Sequence, residues 1–543
     1  MPNVVHADGK TNPKQWWHNA VIYQVYIRSF QDTNDDGIGD IPGITAQIPY
    51  LSTLGVDAVW LTPFYPSPKA DNGYDISNYC DVDPQYGTLK DFDALVERAH
   101  RFNIKIIIDV VANHTSAQHP WFKAALKAPA GSRKRNRYLF MDGKGANHSE
   151  PPNNWQSWFG GSAWKRVPND KQWYLHTFSD QQPDLNWRNP EVRLEFSRIL
   201  RFWLDRKVDG LRVDAAMCLI KRKDFSDAQP TDMNEPLSHQ PEVFKIYREW
   251  RKIVDEYKNR CMIGEIFGDT PQQTLQYVRD GKLDQAFNFD YQSSTWQTMD
   301  MYYAIATWLR LASSIGSEPV WVTSSHDQVR HVSRLGLTNP GISPRGIAAT
   351  SEQPSPELGQ LRARALACLT TFLPGAMCIY YGEELGLPDH TTLDNKFRKD
   401  PRFKPGQYIG RDGARIPMPW QHNKPAFGFS HRTRIWLPQP ASYSRFAVDK
   451  QTNDPGSMLA LYKELLKLRR RYGLGRGSVT WITPPREDVI VVRNRDLVLV
   501  INFGHVPVTL PVTGQMIAKS MMRISTRDKE IPGNAAVWIK VKK

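Results

Sequence analysis

The chain has 543 residues, more than one hydrophobic core accommodates, so two or three domains are expected. With 40% apolar and 23% charged residues, its composition is that of an ordinary soluble protein. The formal charge of +14 is spread over short clusters such as Arg133-Lys-Arg-Asn-Arg137 and Arg469-Arg-Arg471, which read as solvated surface and argue against a nucleic-acid binder.

Along the chain, residues 1–10 have no signal-peptide architecture. No run reaches ~18 consecutive apolar residues, so no membrane span is expected. Eight short apolar or β-branched runs follow, at 21–27, 57–61, 105–110, 210–213, 262–265, 285–288, 320–323 and 377–381. Helical patterns lie between them, for example at 89–102, 190–207 and 240–258. Strand alternating with helix predicts a parallel sheet under helices. Eight repeats fit an α/β fold of the (β/α)8 TIM-barrel type, whose active site lies at the C-terminal ends of the strands.

Residues 112–176 break this rhythm. They are rich in Pro, Gly, Asn and Trp, as in Pro151-Pro-Asn-Asn-Trp155 and Trp158-Phe-Gly-Gly161, and read as a small inserted domain overhanging the barrel mouth. After residue 471, alternating runs at 489–493, 497–501 and 536–540 predict a compact antiparallel C-terminal β domain. The expected division is a barrel over 1–111 and 177–471, an insert over 112–176 and a C-terminal domain over 472–543. The 18 Trp suit either large-core packing or a sugar-binding cleft. Of the five Cys, four sit in or beside apolar runs and no CxxC pair occurs, which predicts reduced thiols in a cytoplasmic protein.

Three of the apolar runs each deliver one acid. Gly210-Leu-Arg-Val-Asp214 is followed by Cys261-Met-Ile-Gly-Glu265 and by Trp321-Val-Thr-Ser-Ser-His-Asp327. Three acids arriving at one end of a barrel point to acid/base chemistry on a neutral, oxygen-rich substrate.

With Asp109-Val-Val-Ala-Asn-His114, Gly264-Glu265 and His326-Asp327, these segments form an ordered set, and Gln182-Pro-Asp-Leu-Asn186 adds a further marker. The sequence resembles the α-amylase superfamily of glycoside hydrolases, in particular its α-glucosidase and oligo-1,6-glucosidase branch. Residues 237–257 look most like bacterial, actinobacterial-type α-glucosidases. The resemblance implies a retaining double displacement. Asp214 is then the nucleophile, Glu265 the general acid and base, and Asp327 the stabiliser of the oxocarbenium-like transition state. Retention needs two carboxyls about 5–5.5 Å apart, which neighbouring strands supply. Arg212, two residues back on the same strand face, is placed to hold Asp214 ionised.

The resemblance further implies that Asp75, His114 and His326 hydrogen-bond ring hydroxyls and that Tyr74 stacks beneath the ring. Arg330 is expected to reach the pocket, while Asp109 and Asn113 orient the site. Two positions depart from or qualify the pattern. Ser325 stands where many members carry Asn. Ala215 follows the nucleophile, where Val tracks α-1,6 and Thr or Ala tracks α-1,4 linkages, so α-1,4 is favoured.

Asp32-Thr-Asn34-Asp-Asp36-Gly-Ile38-Gly-Asp40 sets oxygen donors at every second position, like the start of an EF-hand loop. Gly43 stands where that loop carries its bidentate Glu. The branch has a similar loop, which implies Asp32, Asn34, Asp36, the Ile38 carbonyl and Asp40 as ligands of a structural Ca²⁺ or Mg²⁺. No organic cofactor is implied.

The expectation is therefore a cytoplasmic, exo-acting α-glucosidase. It removes terminal glucose from maltose, short malto-oligosaccharides and related small-molecule α-glucosides, as a monomer or homodimer with no nucleic-acid or membrane partner. One alternative keeps the chemistry and changes the acceptor, as in trehalose synthases and sucrose isomerases. The other is a non-catalytic amylase-like interaction protein, but such proteins lack the intact acids and carry a membrane anchor.

Overall fold

The computed structural model of the protein describes residues 15–341 and 346–541. The segment 1–10 lies outside the described residues. Eleven strands in chain order build the barrel and its insert: β1 (Val21–Val25), β2 (Ala58–Leu61), β3 (Lys105–Val110), β4 (Phe140–Asp142), β5 (Trp164–Arg166), β6 (Gln172–Leu175), β7 (Gly210–Val213), β8 (Cys261–Gly264), β9 (Gln285–Asn288), β10 (Val320–Val322) and β11 (Ala376–Tyr380). Eight of them close a barrel in the order β1-β2-β3-β7-β8-β9-β10-β11, with β11 returning to β1, and every pairing is parallel.

The physical reason lies in composition. Runs such as Ile-Ile-Ile in β3 are β-branched, and nearly every residue of the barrel strands is buried, as expected for strands covered on both faces. Several of the helices between them start at side-chain caps. Thr88 and Asp91 form a capping box on Leu89–Arg101, and Asn189 with Pro190 opens Pro190–Asp205. Each polar residue that ends a strand is thereby delivered to the same face of the barrel. The strand expected over 262–265 ends one residue early, at Gly264, which leaves Glu265 just past the β8 end.

Between β3 and β7 the chain makes a short helix, Pro120–Lys127, and a three-stranded antiparallel sheet ordered β4-β6-β5. Trp155, Trp164 and Leu175 pack there against Ala228 and Leu237 from the segment after β7. A five-stranded antiparallel sheet closes the chain, ordered Val479–Ile482, Val489–Asn494, Leu497–Asn502, Ala535–Lys540, Gln515–Lys519. It is tied to the barrel by Trp538 Nε1, which donates to the Cys368 carbonyl at 3.0 Å. All five Cys are free, and four are buried. No helix among the described residues is long and apolar enough to cross a membrane.

The basic clusters are not wholly solvated surface. Arg135 is buried, donating to the carbonyls of Ala125 and Leu126 and pairing with Asp170 at 2.7 Å. Arg469 is buried as well, donating to the carbonyls of Thr371, Leu373 and Gly375. Each satisfies backbone oxygens that the local chain path leaves without a partner, a demand that sequence periodicity does not reveal.

Candidate active site

A cavity of about 270 Å³ opens at the C-terminal ends of the barrel strands. Asp214, Glu265 and Asp327 line it together, with Tyr74, His114 and His326. These six come from the ends of five different strands or the loops that follow them, as the barrel architecture requires.

Arg212 organises the floor. In register it lies beside Asp109 of β3 and Ile263 of β8. Its Nη1 donates to Asp109 Oδ1 at 2.5 Å and to Asp214 Oδ1 at 2.6 Å, while Nη2 stands 2.7 Å from Glu265 Oε1. One planar fork therefore fixes the two principal acids as near neighbours. Arg212 favours the ionised form of Asp214, in the direction expected, but it does not act on that carboxyl alone. Burial pushes the Asp214 carboxyl well above the usual range, Arg212 opposes this, and Glu265 and Asp109 add to the rise. Burial is the main cause, and Arg212 offsets it only in part because its one charge is shared among three carboxylates. Asp109 itself is pushed up to about 6, chiefly by burial.

Glu265 accepts a second hydrogen bond, from the backbone N–H of Ala215 to Oε2 at 2.9 Å. Ala215 presents that N–H from a left-handed backbone, φ +39°. A non-glycine residue there carries strain, stored beside the nucleophile.

Asp327 is treated differently. Burial would raise its carboxyl, but Arg411 and Arg415 outweigh burial and hold it well below the usual range. Arg411 Nη1 and Arg415 Nη2 donate to Asp327 Oδ1 at 2.7 and 3.1 Å. His326, lowered to about 3 by burial, is neutral. Its Nδ1 stands 2.7 Å from Gln24 Nε2, and its buried Nε2 has no hydrogen-bond partner. A ring nitrogen left this way is available to a sugar hydroxyl. His114 is lowered by burial too, and its Nε2 lies 3.1 Å from the Tyr74 carbonyl. Tyr74 stacks on the His326 ring at 5.3 Å and 4°, and its hydroxyl donates to Asp109 Oδ2 at 3.2 Å.

Two expected contacts are absent. Asp75 is fully buried and does not line the cavity. Its carboxylate accepts from Ser67 Oγ and from the N–H groups of Ala70 and Asp71, so it shapes the loop instead. Arg330 points away. Its Nε and Nη1 donate to the carbonyls of Ala414 and Tyr381, between the rings of Tyr380 and Tyr381. The turn after β10 directs that side chain under the loop carrying Arg415 rather than into the cavity.

Asp71 and Arg411 occupy the places those residues were expected to fill. Arg411 Nη2 donates to Asp71 Oδ1 at 3.0 Å, and its Nε and Nη2 hold Asp400 as a bidentate pair. Asp71 opens the segment that contains Tyr74, and Arg411 lies in Gly410-Arg-Asp-Gly413, so both stood beside legible motifs. Gln182 donates to Asp71 Oδ2. Asp109 and Asn113 support the site from behind, Asn113 by donating to Asp184 and by accepting from the buried Lys221 at 2.7 Å. Ser325 Oγ accepts from Gln292 Nε2 and the Asp327 N–H, both at 3.3 Å, so the departure at this position leaves a polar support in place.

The Asp32–Asp40 loop is not drawn together around an ion. Among the described residues no group of three or more His, Cys, Asp or Glu is placed to hold a metal. Asp32 accepts from the N–H groups of Asn34, Asp35 and Gly37, Asp36 accepts from Ile38, and Asp40 caps the helix Ile41–Leu54 through the Gly43 N–H. These side chains are committed to backbone donors.

The sequence matches the alpha amylase catalytic domain over residues 24–477. A probable alpha-glucosidase of Rhizobium meliloti (strain 1021) is 38% identical over 498 residues, covering 86% of this chain and 85% of that protein. An oligo-1,6-glucosidase of Parageobacillus thermoglucosidasius is 34% identical over 525 residues, 89% and 86% of the two chains. The crystal structure of the trehalulose synthase MutB from Pseudomonas mesoacidophila MX-45 superposes with a TM-score of 0.86 at 32% identity, over 97% of this chain and 99% of that one. A closed parallel barrel, acids gathered at its C-terminal mouth and relatives of this kind over most of the length lead to one conclusion: the chain belongs to the alpha-amylase family of glycoside hydrolases.

Proposed function

We propose that the protein is a retaining, exo-acting α-glucosidase that releases terminal glucose from maltose and short α-glucosides, with α-1,4 linkages favoured. The observation that carries this reading is the single guanidinium, Arg212, reaching both Asp214 and Glu265 in one enclosed cavity. Asp214 attacks the anomeric carbon and the C–O bond to the leaving group breaks, as Glu265 gives its proton to the departing oxygen. A water then gives its proton back to Glu265 and its oxygen to the anomeric carbon, releasing Asp214. Asp327, held ionised by Arg411 and Arg415, faces the positive charge that develops on the ring. His114, His326, Asp71 and Tyr74 hold the ring hydroxyls and face. Trp158 and Phe159 of the insert, with Phe178 just after it, wall the cavity, which favours an end-on pocket over an open cleft.

The same intermediate can be intercepted by a sugar hydroxyl instead of water. Likeness to a trehalulose synthase and the aromatic mouth, with Phe267 stacked on Phe289 at 4.5 Å, support this second reading. Incubation with maltose, isomaltose, sucrose, trehalose and maltotriose, followed by product chromatography, decides between them. Free glucose as the main product from maltose supports hydrolysis, isomeric disaccharides support transfer, and no turnover of any of the five overturns both.

A structural Ca²⁺ or Mg²⁺ in the Asp32–Asp40 loop is supported by its oxygen-only donor set. Crowding adds to this, since burial pushes up the Asp36 and Asp40 carboxyls and the Asp32 charge adds to it. A carboxylate can accept a backbone N–H and still ligate a cation through its remaining lone pairs, and a melting temperature unchanged by Ca²⁺, Mg²⁺ or chelator rules the ion out. The five free thiols support a reducing, cytoplasmic setting, and light scattering separates monomer from homodimer.

A further inference from the structure

Every acid that lines the cavity is matched by an arginine. Arg212 serves Asp214 and Glu265, and Arg411 serves Asp71 and Asp327. One further cation lines the same cavity, Arg402, and it forms no ion pair among the described residues, feeling Asp400 and Asp327 only through space. It belongs to a basic stretch, Lys396-Phe-Arg-Lys-Asp-Pro-Arg-Phe-Lys404, whose other charges are partly spent. Lys396 pairs with Asp394, Arg398 donates to the carbonyls of Leu393 and Ile409, and Asp400 is taken by Arg411. Lys399, Arg402 and Lys404 form no ion pair among the described residues, although Asp400 and Asp327 act on Arg402 through space.

The Arg402 side chain is held in place without being neutralised. Its guanidinium lies 4.1 Å over the Tyr408 ring and 5.6 Å over the Phe159 ring of the insert. Lys404 Nζ adds a second charge at the insert tip, 3.2 Å from where a Cβ would stand at Gly160. The result is a positioned planar fork, backed by aromatic rings, on the wall of a cavity whose own acids are already satisfied. A fork of that kind matches a carboxylate or phosphate through two parallel hydrogen bonds.

We propose that Arg402 selects α-glucosides whose leaving group carries an anionic group, a carboxylate or a phosphate, and binds that anion at the cavity wall. The inference deepens the α-glucosidase reading and rests on it. The glucose unit is neutral and occupies the part of the cavity around Asp214, so the anion belongs to the leaving-group side. The same contact serves an anionic acceptor when the intermediate is intercepted.

The test compares 3-carboxyphenyl α-glucoside with its neutral isostere, 3-carbamoylphenyl α-glucoside, and with the 3-phosphooxyphenyl compound. The wild-type protein is expected to favour an anionic substrate over the neutral one by about tenfold or more in kcat/KM, the effect of one charge-assisted contact. Which of the two anions gains more identifies the group. High salt reduces the preference, and Arg402→Gln brings the ratio close to one. Equal wild-type values for neutral and anionic substrates overturn the proposal, as does a ratio that survives Arg402→Gln. The same ratio read as Kd by calorimetry on the Asp214→Asn protein does not depend on turnover. Failure of the hydrolase reading, seen as no release from any of the three compounds, is thereby kept apart from failure of this one.

Discussion

Arg212 Nη1 donates to Asp214 Oδ1 across 2.6 Å, from two residues earlier in the chain. That closeness does not give Asp214 the whole positive charge, because Asp109 accepts from the same nitrogen and Glu265 approaches the other. The nucleophile must be ionised to attack, so its ionisation sets the acid limb of kcat/KM in the free enzyme. Asp109→Asn removes one negative neighbour that raises Asp214 and frees the guanidinium for it. The acid limb is expected to move to lower pH. Asp214→Asn, by contrast, lowers kcat on the order of ten-thousandfold at every pH. A pH–rate profile on an aryl α-glucoside checks both, and a limb that moves upward in Asp109→Asn contradicts the shared-charge account.

The barrel and the three acids were legible because each strand is a short apolar run closed by a polar residue, a pattern local in sequence. Residues that meet only in three dimensions were not. Arg411 lies 340 residues from Asp71, yet the two pair at 3.0 Å. Nothing in the spacing of either announces the other. Arg330 was the nearer arginine to His326 and the more natural guess, but the turn after β10 directs it onto backbone carbonyls. Within Asp71-Asn-Gly-Tyr-Asp75 it is the first acid that lines the cavity and not the last, a difference hidden in the sequence because two acids four residues apart read alike until the loop is folded.

That pair gives a direct contrast. Asp71 lines the cavity and is held by Arg411, whereas Asp75 accepts two backbone N–H groups and a serine hydroxyl away from it. Asp71→Asn is expected to lower kcat/KM about a hundredfold while shifting the melting temperature little. Asp75→Asn weakens buried charge-assisted hydrogen bonds and costs about 1–3 kcal/mol of stability. Thermal denaturation and steady-state kinetics on the two variants separate the roles, and loss of activity in Asp75→Asn at unchanged stability returns that residue to the sugar.

Glu383, just past β11, is buried away from the cavity, accepts from Thr323 Oγ1 and Tyr462 Oη, and is pushed up to about 7 by burial. Its folded pKa therefore exceeds the unfolded value. Such an acid contributes stability that is fully present below the unfolded pKa and is lost as pH rises through the folded one. The window runs from about 4.5 to about 7. Glu383→Gln cannot ionise and is expected to flatten the fall in melting temperature across that window. At pH 8 it recovers on the order of 2–3 kcal/mol relative to wild type, if the amide keeps the two hydroxyl contacts. A slope identical to that of wild type shows that Glu383 is ionised throughout.

Ala215 joins stability to specificity at one position. Its backbone is left-handed at φ +39°, its N–H donates to Glu265 Oε2, and it lines the cavity next to Asp214. Glycine adopts this conformation without strain, so Ala215→Gly is expected to raise stability by up to about 1 kcal/mol. Valine does the opposite, since a β-branched side chain at positive φ adds about 1–2 kcal/mol of strain. It also sends two methyl groups into the cavity between the principal acids. Groups of that size change discrimination between substrates about tenfold or more. In the branch this chain resembles, Val at this position accompanies α-1,6 linkages. Ala215→Val is therefore expected to lower the melting temperature and to raise the isomaltose-to-maltose ratio of kcat/KM about tenfold. An unchanged ratio in a folded variant means that linkage choice lies elsewhere in the cavity wall, with Phe178 and Gln328 the next side chains to replace.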